Sequence, residues 1–179
     1  MYGMVNQAIK SMVLLKFDEP TWNEVCRKAN LDHNDFAPFQ QYDDAITGSL
    51  VATISEMANM NPTDLLEAFG EYWVVYARKS EYSSILESFA TSPIGLIESL
   101  DSLHTRLELL FSNLSAPSFW VEHISHNEVI VHYSTIRTMP LEYFVVGLLK
   151  GVFRMFDKEC EVTMLPGIEG EKAAFKVKF

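Results

Sequence analysis

The chain has 179 residues, 48% hydrophobic and 12% aromatic, with a formal charge of −10 from 14 basic and 24 acidic side chains. That length suits one domain, or two tightly packed subdomains, with a substantial core. The acidic balance excludes nucleic acid as a partner, because the phosphate backbone is bound through clustered Lys and Arg, and it argues equally against an anionic membrane surface. No run of roughly 18 apolar residues is present, so no spanning helix is expected. No basic segment precedes a cleavable apolar stretch, and Gly3 is third rather than second, which argues against a leader or myristoylation. Cys26 and Cys160 lie far apart and outside any metal-binding spacing, as reduced thiols do, and the expected location is cytoplasmic.

The first two-thirds of the chain read as helices. Met4, Ala8, Ser11/Met12 and Leu15 mark a helical face from the start, and Pro20 sits in the first turn of a second helix, Thr21–Leu31. A polar loop, residues 33–46, precedes a helix over residues 50–60. Asn61-Pro62-Thr63-Asp64 opens the next helix, which runs through Ala77, and a short one covers residues 82–89. Ser92 as cap and Pro93 at the first helical position then start a long helix carrying His104.

After Ser115-Ala116-Pro117 the character changes. Residues 118–124 and 128–136 are β-branched and aromatic, and the polar Ser125-His126-Asn127 between them reads as a hairpin. Pro140 begins an amphipathic helix to Phe156, and two strands, 160–165 and 173–179, flank a Gly-containing turn. Helices followed by ββαββ define an α+β class with an antiparallel sheet.

His104 is the first residue that calls for chemistry. Apolar side chains recur at Ile97, Leu100, Leu107 and Phe111, and His104 fills the vacant place in that stripe, with Asp101 and Arg106 turned elsewhere. An imidazole there costs free energy unless its nitrogens are satisfied. Ordinarily such a histidine is a core residue bonded to a carbonyl or carboxylate; the alternative is a metal ligand. One histidine does not make a zinc site, which needs three or four ligands, but it suffices as the protein ligand of haem iron.

A second feature fits that alternative. In an extended segment, Tyr133, Thr135 and Arg137 alternate onto one side, and a phenol, a hydroxyl and a guanidinium together suit carboxylates such as haem propionates. The plain reading is a strand end with a surface arginine. His123, His126 and His132 cluster near the hairpin without a fourth ligand and read as solvated turn histidines. Asp43 and Asp44 read as part of a solvated face.

Taken together, the His104 segment Leu100–His104 and the segment His132–Arg137 resemble the haem-nitric oxide/oxygen binding (H-NOX) domains, including the regulatory haem domain of soluble guanylate cyclase. The resemblance covers the whole chain, from Met1–Ile9 through Ala68–Trp73 and Ala116–Phe119 to Phe175–Phe179. It implies a distal helical subdomain over about residues 1–62 and a proximal helix-and-sheet subdomain over about 63–179, with haem b (iron protoporphyrin IX) between them. By the resemblance His104 is the iron ligand and Tyr133, Thr135 and Arg137 hold the propionates, with Thr135 standing where the family has serine. Pro117, Val5, Trp73, Phe144 and Leu148 are the remaining haem or pocket contacts.

The resemblance also bears on gas choice. Members that hold oxygen use a distal tyrosine three residues before a helix glycine; with Gly147 as anchor that position is Phe144, which has no donor. Tyr143 is about 100° around the helix from it, and Trp73, at a second distal position by the resemblance, could donate through its indole but reads as a large core aromatic. The implied function is a sensor, not an enzyme, selective for nitric oxide over oxygen and also binding carbon monoxide. It would signal to a separate histidine kinase, cyclic-dinucleotide enzyme or cyclase by weakening of the iron–His104 bond and relaxation of the haem. The alternatives are a haem enzyme, for which no distal acid–base group is evident, or a haem-free module for an apolar ligand.

Overall fold

The computed structural model describes residues 1–80, 83–89, 91–110 and 115–179. The chain divides into two compact units, Met1–Phe69 and Gly70–Phe179, and the division falls inside a helix. Among the described residues no helix is long and apolar enough to cross a membrane.

The first unit is helical: α1 (Gly3–Lys16), α2 (Glu19–Lys28), α3 (Asp44–Ala58) and the beginning of α4 (Pro62–Lys79). The start of α1 lies against the loop that precedes α3. Gly3 and Met4 donate their amides to the Gln40 and Pro38 carbonyls at 2.9 and 3.0 Å, which satisfies donors a helix start leaves unpaired. A Cβ on residue 3 would sit 2.0 Å from the Ala37 oxygen, so glycine is required for that approach. Asp18 caps α2 by accepting from the Thr21 amide at 2.9 Å, with Pro20 in the first turn as expected. Trp22, Phe36, Ile9 and Leu50 are buried, and the Trp22 indole gives its proton to the Asn34 carbonyl. One expectation fails here: α3 begins at Asp44, several residues before position 50, because Asp43 accepts from the Ala45 amide and caps the helix early.

The second unit holds the rest of α4, then α5 (Ser83–Phe89), α6 (Pro93–Glu98), α7 (Leu100–Leu110), β1 (Ser118–Ser125), β2 (Glu128–Ser134), α8 (Glu142–Met155), β3 (Glu161–Pro166) and β4 (Ala173–Lys178). The four strands form one antiparallel sheet in the order β1-β2-β4-β3, so β1 and β3 are its edges. Val145, Val146, Leu149, Val152 and Phe153 repeat at helical spacing along α8 and are buried in one core with Val129, Val131, Phe175 and Val177 of the sheet. Leu96, Ile97 and Leu100 join this core from α6 and α7. The fold is α+β, as read from the sequence.

The helix carrying His104 departs from expectation. It is two helices, broken at Ser99, where the hydroxyl donates to the Gly95 carbonyl at 2.7 Å and competes with the backbone ladder, as serine does inside helices. The buried positions are consequently Leu96, Ile97, Leu100 and Leu103, while His104 and Leu107 are half-buried. Phe111 lies outside the described residues.

Two glycines let α4 and α8 approach closely. A Cβ at residue 70 would lie 2.0 Å from the Phe144 oxygen and 2.7 Å from the Leu148 nitrogen, and one at residue 151 would meet Glu71 backbone at 3.1 Å. Glu71 and Arg154 form an ion pair beside this crossing. Gly70→Ala is expected to force the helices apart and cost roughly 1–3 kcal/mol, the usual range for overpacking. Urea denaturation checks this; an unchanged midpoint would mean that α4 shifts freely on α8.

Candidate functional site

Pro93 and Ser92 set the start of α6, and α7 continues from Ser99, bringing Asp101 and His104, three residues apart, onto one side. His104 Nδ1 lies 3.0 Å from the Pro117 carbonyl. A carbonyl only accepts, so Nδ1 carries the proton and Nε2 keeps its lone pair in the neutral ring. Nε2 has no hydrogen-bond partner among the described residues. Burial pushes the imidazole below its usual pKa, while the Pro117 bond and the negative Asp101 and Glu108 act the other way. The ring is therefore a neutral, oriented base with one nitrogen unpartnered among the described residues, the form in which histidine ligates a metal.

Asp101 does not turn elsewhere, contrary to the sequence reading. Its carboxylate accepts from the Ser118 hydroxyl at 2.8 Å and from the Phe119 amide at 2.7 Å. Phe119 is buried, and its ring lies 6.2 Å from that of His104 and 5.3 Å from that of Tyr133. The signal was present in the sequence as an acidic residue one turn before the histidine, but it names no partner. Arg106, by contrast, does leave the site and lies over the Phe89 ring at 4.8 Å.

The expected hydroxyl-and-guanidinium group also comes together, although β2 ends at Ser134 and only Tyr133 lies within the strand. Tyr133 is 2% exposed; burial raises its phenol, the hydrogen bond with the Thr135 hydroxyl lowers it, and Arg137 is close enough to lower it further. Arg137 donates its amide to Thr135 Oγ1 at 3.2 Å and its guanidinium to the Ser115 carbonyl at 3.3 Å. Because Ser115 stands two residues before Pro117, the arginine and His104 are both tied to one short segment.

The positions expected around a pocket lie as follows. Trp73 of α4 and Phe144 of α8 are half-buried and meet edge to face at 6.3 Å between centroids, and Trp73 stacks on Tyr76 at 6.0 Å. Leu148 is half-buried one turn beyond Phe144, whereas Tyr143 is 41% exposed. Val5 lies on α1, half-buried, in the first unit.

The hairpin histidines are not all solvated. His132, on β2 with its side chain 7% exposed, stacks flat on Trp120 at 3.5 Å and pairs through Nδ1 with Glu171 at 3.0 Å and through Nε2 with Glu122 at 3.4 Å. Strand alternation sends it to the opposite face from Tyr133, where two carboxylates satisfy it. His123 bonds Glu98 at 2.6 Å, and only His126 is an exposed turn residue. Among the described residues no group of three His, Cys, Asp or Glu is placed to hold a metal ion. Both thiols are pushed up to about 11 by burial and are inert at neutral pH.

The fold is that of solved H-NOX proteins. The chain superposes on an H-NOX protein from S. oneidensis in the Fe(II)NO ligation state with a TM-score of 0.86 at 20% identity, covering 99% of this chain and 97% of that one. It superposes on an Fe(II) unliganded H-NOX protein from K. algicida with a TM-score of 0.83 at 19% identity, covering 99% and 96%. A haem-NO-binding family model matches residues 2–164, and the chain belongs to this family of haem-binding gas-sensor domains. Among curated relatives, soluble guanylate cyclase gcy-32 of Caenorhabditis elegans is 26% identical over 92% of this chain and 24% of its own length. Guanylate cyclase soluble subunit beta-2 of Rattus norvegicus is 31% identical over 56% of this chain and 15% of its own. The chain thus spans a quarter or less of the length of the cyclases it matches.

Glu171 supplies a pH test of the outer sheet face. Burial alone would raise its carboxyl, but bonds from His132, the Ile168 amide and Trp120 more than offset this and hold it below the ordinary 4.5. A depressed folded pKa gives stability that is full above the unfolded value and is lost as pH falls through the folded one. Thermal denaturation should therefore show stability falling below about pH 4.5, with a shallower acid slope in Glu171→Gln; equal slopes would remove Glu171 from the acid response.

Proposed function

We propose that this chain binds haem b through His104 and senses nitric oxide in preference to oxygen. The observation that carries the reading is the imidazole whose Nδ1 is fixed on the Pro117 carbonyl at 3.0 Å while Nε2 has no partner among the described residues. A core histidine has both nitrogens accounted for, as His132 does; an oriented ring with one nitrogen left over is a ligand in waiting. The donor set of Tyr133, Thr135 and Arg137 fits two propionates, with the guanidinium as the charged member. Haem, when bound, supplies a ferrous iron with an open coordination position for a diatomic gas.

The residues of this chain do the rest. His104 would hold the iron through Nε2, and Pro117, hydrogen-bonded to that same histidine, would pack against the cofactor. Phe144 and Trp73 present rings on the pocket side; Phe144 offers no proton, and Tyr143, 41% exposed, is turned to solvent. An uncharged gas would lose little beside Phe144, whereas bound oxygen, which would gather negative charge, would find no donor there; Trp73, whose indole could donate, is read as a packing residue stacked on Tyr76. Loss of the His104 contact with the metal would be the signalling event in this reading, with Nδ1 keeping its carbonyl. A bond with two states is the element that ligand binding biases. The readout is a signalling enzyme (a kinase, a cyclic-dinucleotide enzyme or a cyclase), the last supported by the cyclases among the relatives.

Absorption spectra of the ferrous protein under argon, oxygen, carbon monoxide and nitric oxide test the reading. Carbon monoxide and nitric oxide should each shift the spectrum and oxygen should not; a stable oxygen complex would sink the pocket assignment. His104→Gly should lose the parent spectrum and regain it with added imidazole, and a spectrum untouched by the substitution would remove His104 from the metal. Arg137→Ala should speed haem transfer to an acceptor protein by about tenfold or more, the worth of a charged hydrogen bond. Equal transfer rates would take Arg137 out of the propionate site.

A further inference from the structure

The geometry points to Asp101 as a positioning residue that sets the strength of the His104 ligand bond. This inference rests on the haem reading above and deepens it. Along α7 the chain advances from Asp101 to His104, while their partners run backwards from Phe119 and Ser118 to Pro117. Helix and strand start are thereby lashed antiparallel at three atoms: Ser118 Oγ to one carboxylate oxygen at 2.8 Å, Phe119 N to the other at 2.7 Å, and Pro117 O to His104 Nδ1 at 3.0 Å.

Each bond has a distinct consequence. β1 is an edge strand, so an amide on its open side has no strand to pair with, and Asp101 takes the one at Phe119. A carboxylate that accepts from a hydroxyl and an amide makes charge-assisted bonds, stronger than the single neutral bond at Pro117. The register between α7 and residues 117–119 is accordingly fixed by Asp101, and the Pro117 carbonyl is delivered to Nδ1 rather than found by it. A carbonyl on Nδ1–H raises the basicity of Nε2 and fixes the ring plane, and both set how firmly that nitrogen holds a metal. The Asp101 bonds do not depend on Nε2 and would hold α7 to residues 118 and 119 whether or not that nitrogen carries a metal.

Loss of the carboxylate should therefore weaken the ligand bond without touching the ligand. In the ferrous protein, Asp101→Ala should shift the iron–histidine stretching band in the resonance Raman spectrum to lower frequency. It should also raise the fraction of protein in which nitric oxide displaces His104. In the diamagnetic ferrous carbon monoxide form, exchange of the Phe119 amide measured by NMR should quicken roughly tenfold or more. Asp101→Asn keeps one acceptor oxygen and should recover part of both effects, and Ser118→Ala, which deletes one donor alone, should move the band less than Asp101→Ala does. If Asp101→Ala does not fold, the Asn and Ser118 variants carry the test.

Faster Phe119 exchange with an unmoved iron–histidine band would make Asp101 a strand cap only and would overturn the proposal. So would variants that match the parent in both readouts. A parent protein that shows no iron–histidine band at all would overturn both this inference and the haem reading, whereas a normal band that is insensitive to Asp101 overturns this inference alone.

Discussion

A half-buried imidazole has two nitrogens to satisfy, and among the described residues this protein satisfies one. His104 Nδ1 is committed to the Pro117 carbonyl at 3.0 Å, and that bond fixes the tautomer, the ring plane and the direction in which Nε2 looks. Much of the second unit can be understood as the apparatus that makes it. Where α6 gives way to α7 at Ser99, Leu96, Ile97, Leu100 and Leu103 enter the core while His104 stays at its margin. The edge position of β1 leaves its first residues open to a helix instead of a strand.

The sheet then carries that local arrangement to the donor group. Phe119 pairs with Tyr133 across β1 and β2, and Tyr133 pairs in turn with Ala173 on β4, so the residue next to the His104 clamp and the buried phenol share one row of the sheet. Arg137, past the end of β2, returns to the Ser115 carbonyl just before that clamp. In the proposed reading the ligand and its anion-binding partners are thus built on adjoining rigid parts, which is what a site needs if geometry is to set affinity. On the opposite face His132 shows the contrast: both ring nitrogens are spent on carboxylates and a tryptophan lies flat against it, so it is a packed structural residue.

Helix–helix approach is a second constraint, and glycine meets it. Gly70 and Gly151 let α4 and α8 come within a distance that a single added carbon would forbid, and this brings the Trp73 ring against Phe144. The chemistry of gas selection, in the proposed reading, lies at this crossing: a Phe144 ring with no proton to give, the Trp73 ring packed edge to face against it, and a tyrosine one position away turned outward. One residue of helical rotation separates a donor from its absence.

The sequence by itself determined the element types, the α+β class and the caps at Asp18 with Pro20 and at Ser92 with Pro93, because periodicity and capping are local properties of neighbouring residues. It also singled out His104 and the trio Tyr133, Thr135 and Arg137, since an imidazole in an apolar stripe and alternating donors are patterns in one dimension. Only the tertiary structure decided which partners those residues keep. Asp101 looked like a solvent-facing acid, and its role depends on Ser118 and Phe119, 17 and 18 positions away. His132 looked like a turn histidine, and Glu171, 39 positions on, buries it. The break at Ser99 and the early start of α3 at Asp44 each coincide with a side-chain hydrogen bond, Ser99 to the Gly95 carbonyl and the Ala45 amide to Asp43, that the periodic pattern does not mark. A side chain's spacing fixes the face it occupies, and docking fixes what that face meets; which of two nitrogens stays free is settled only by the second.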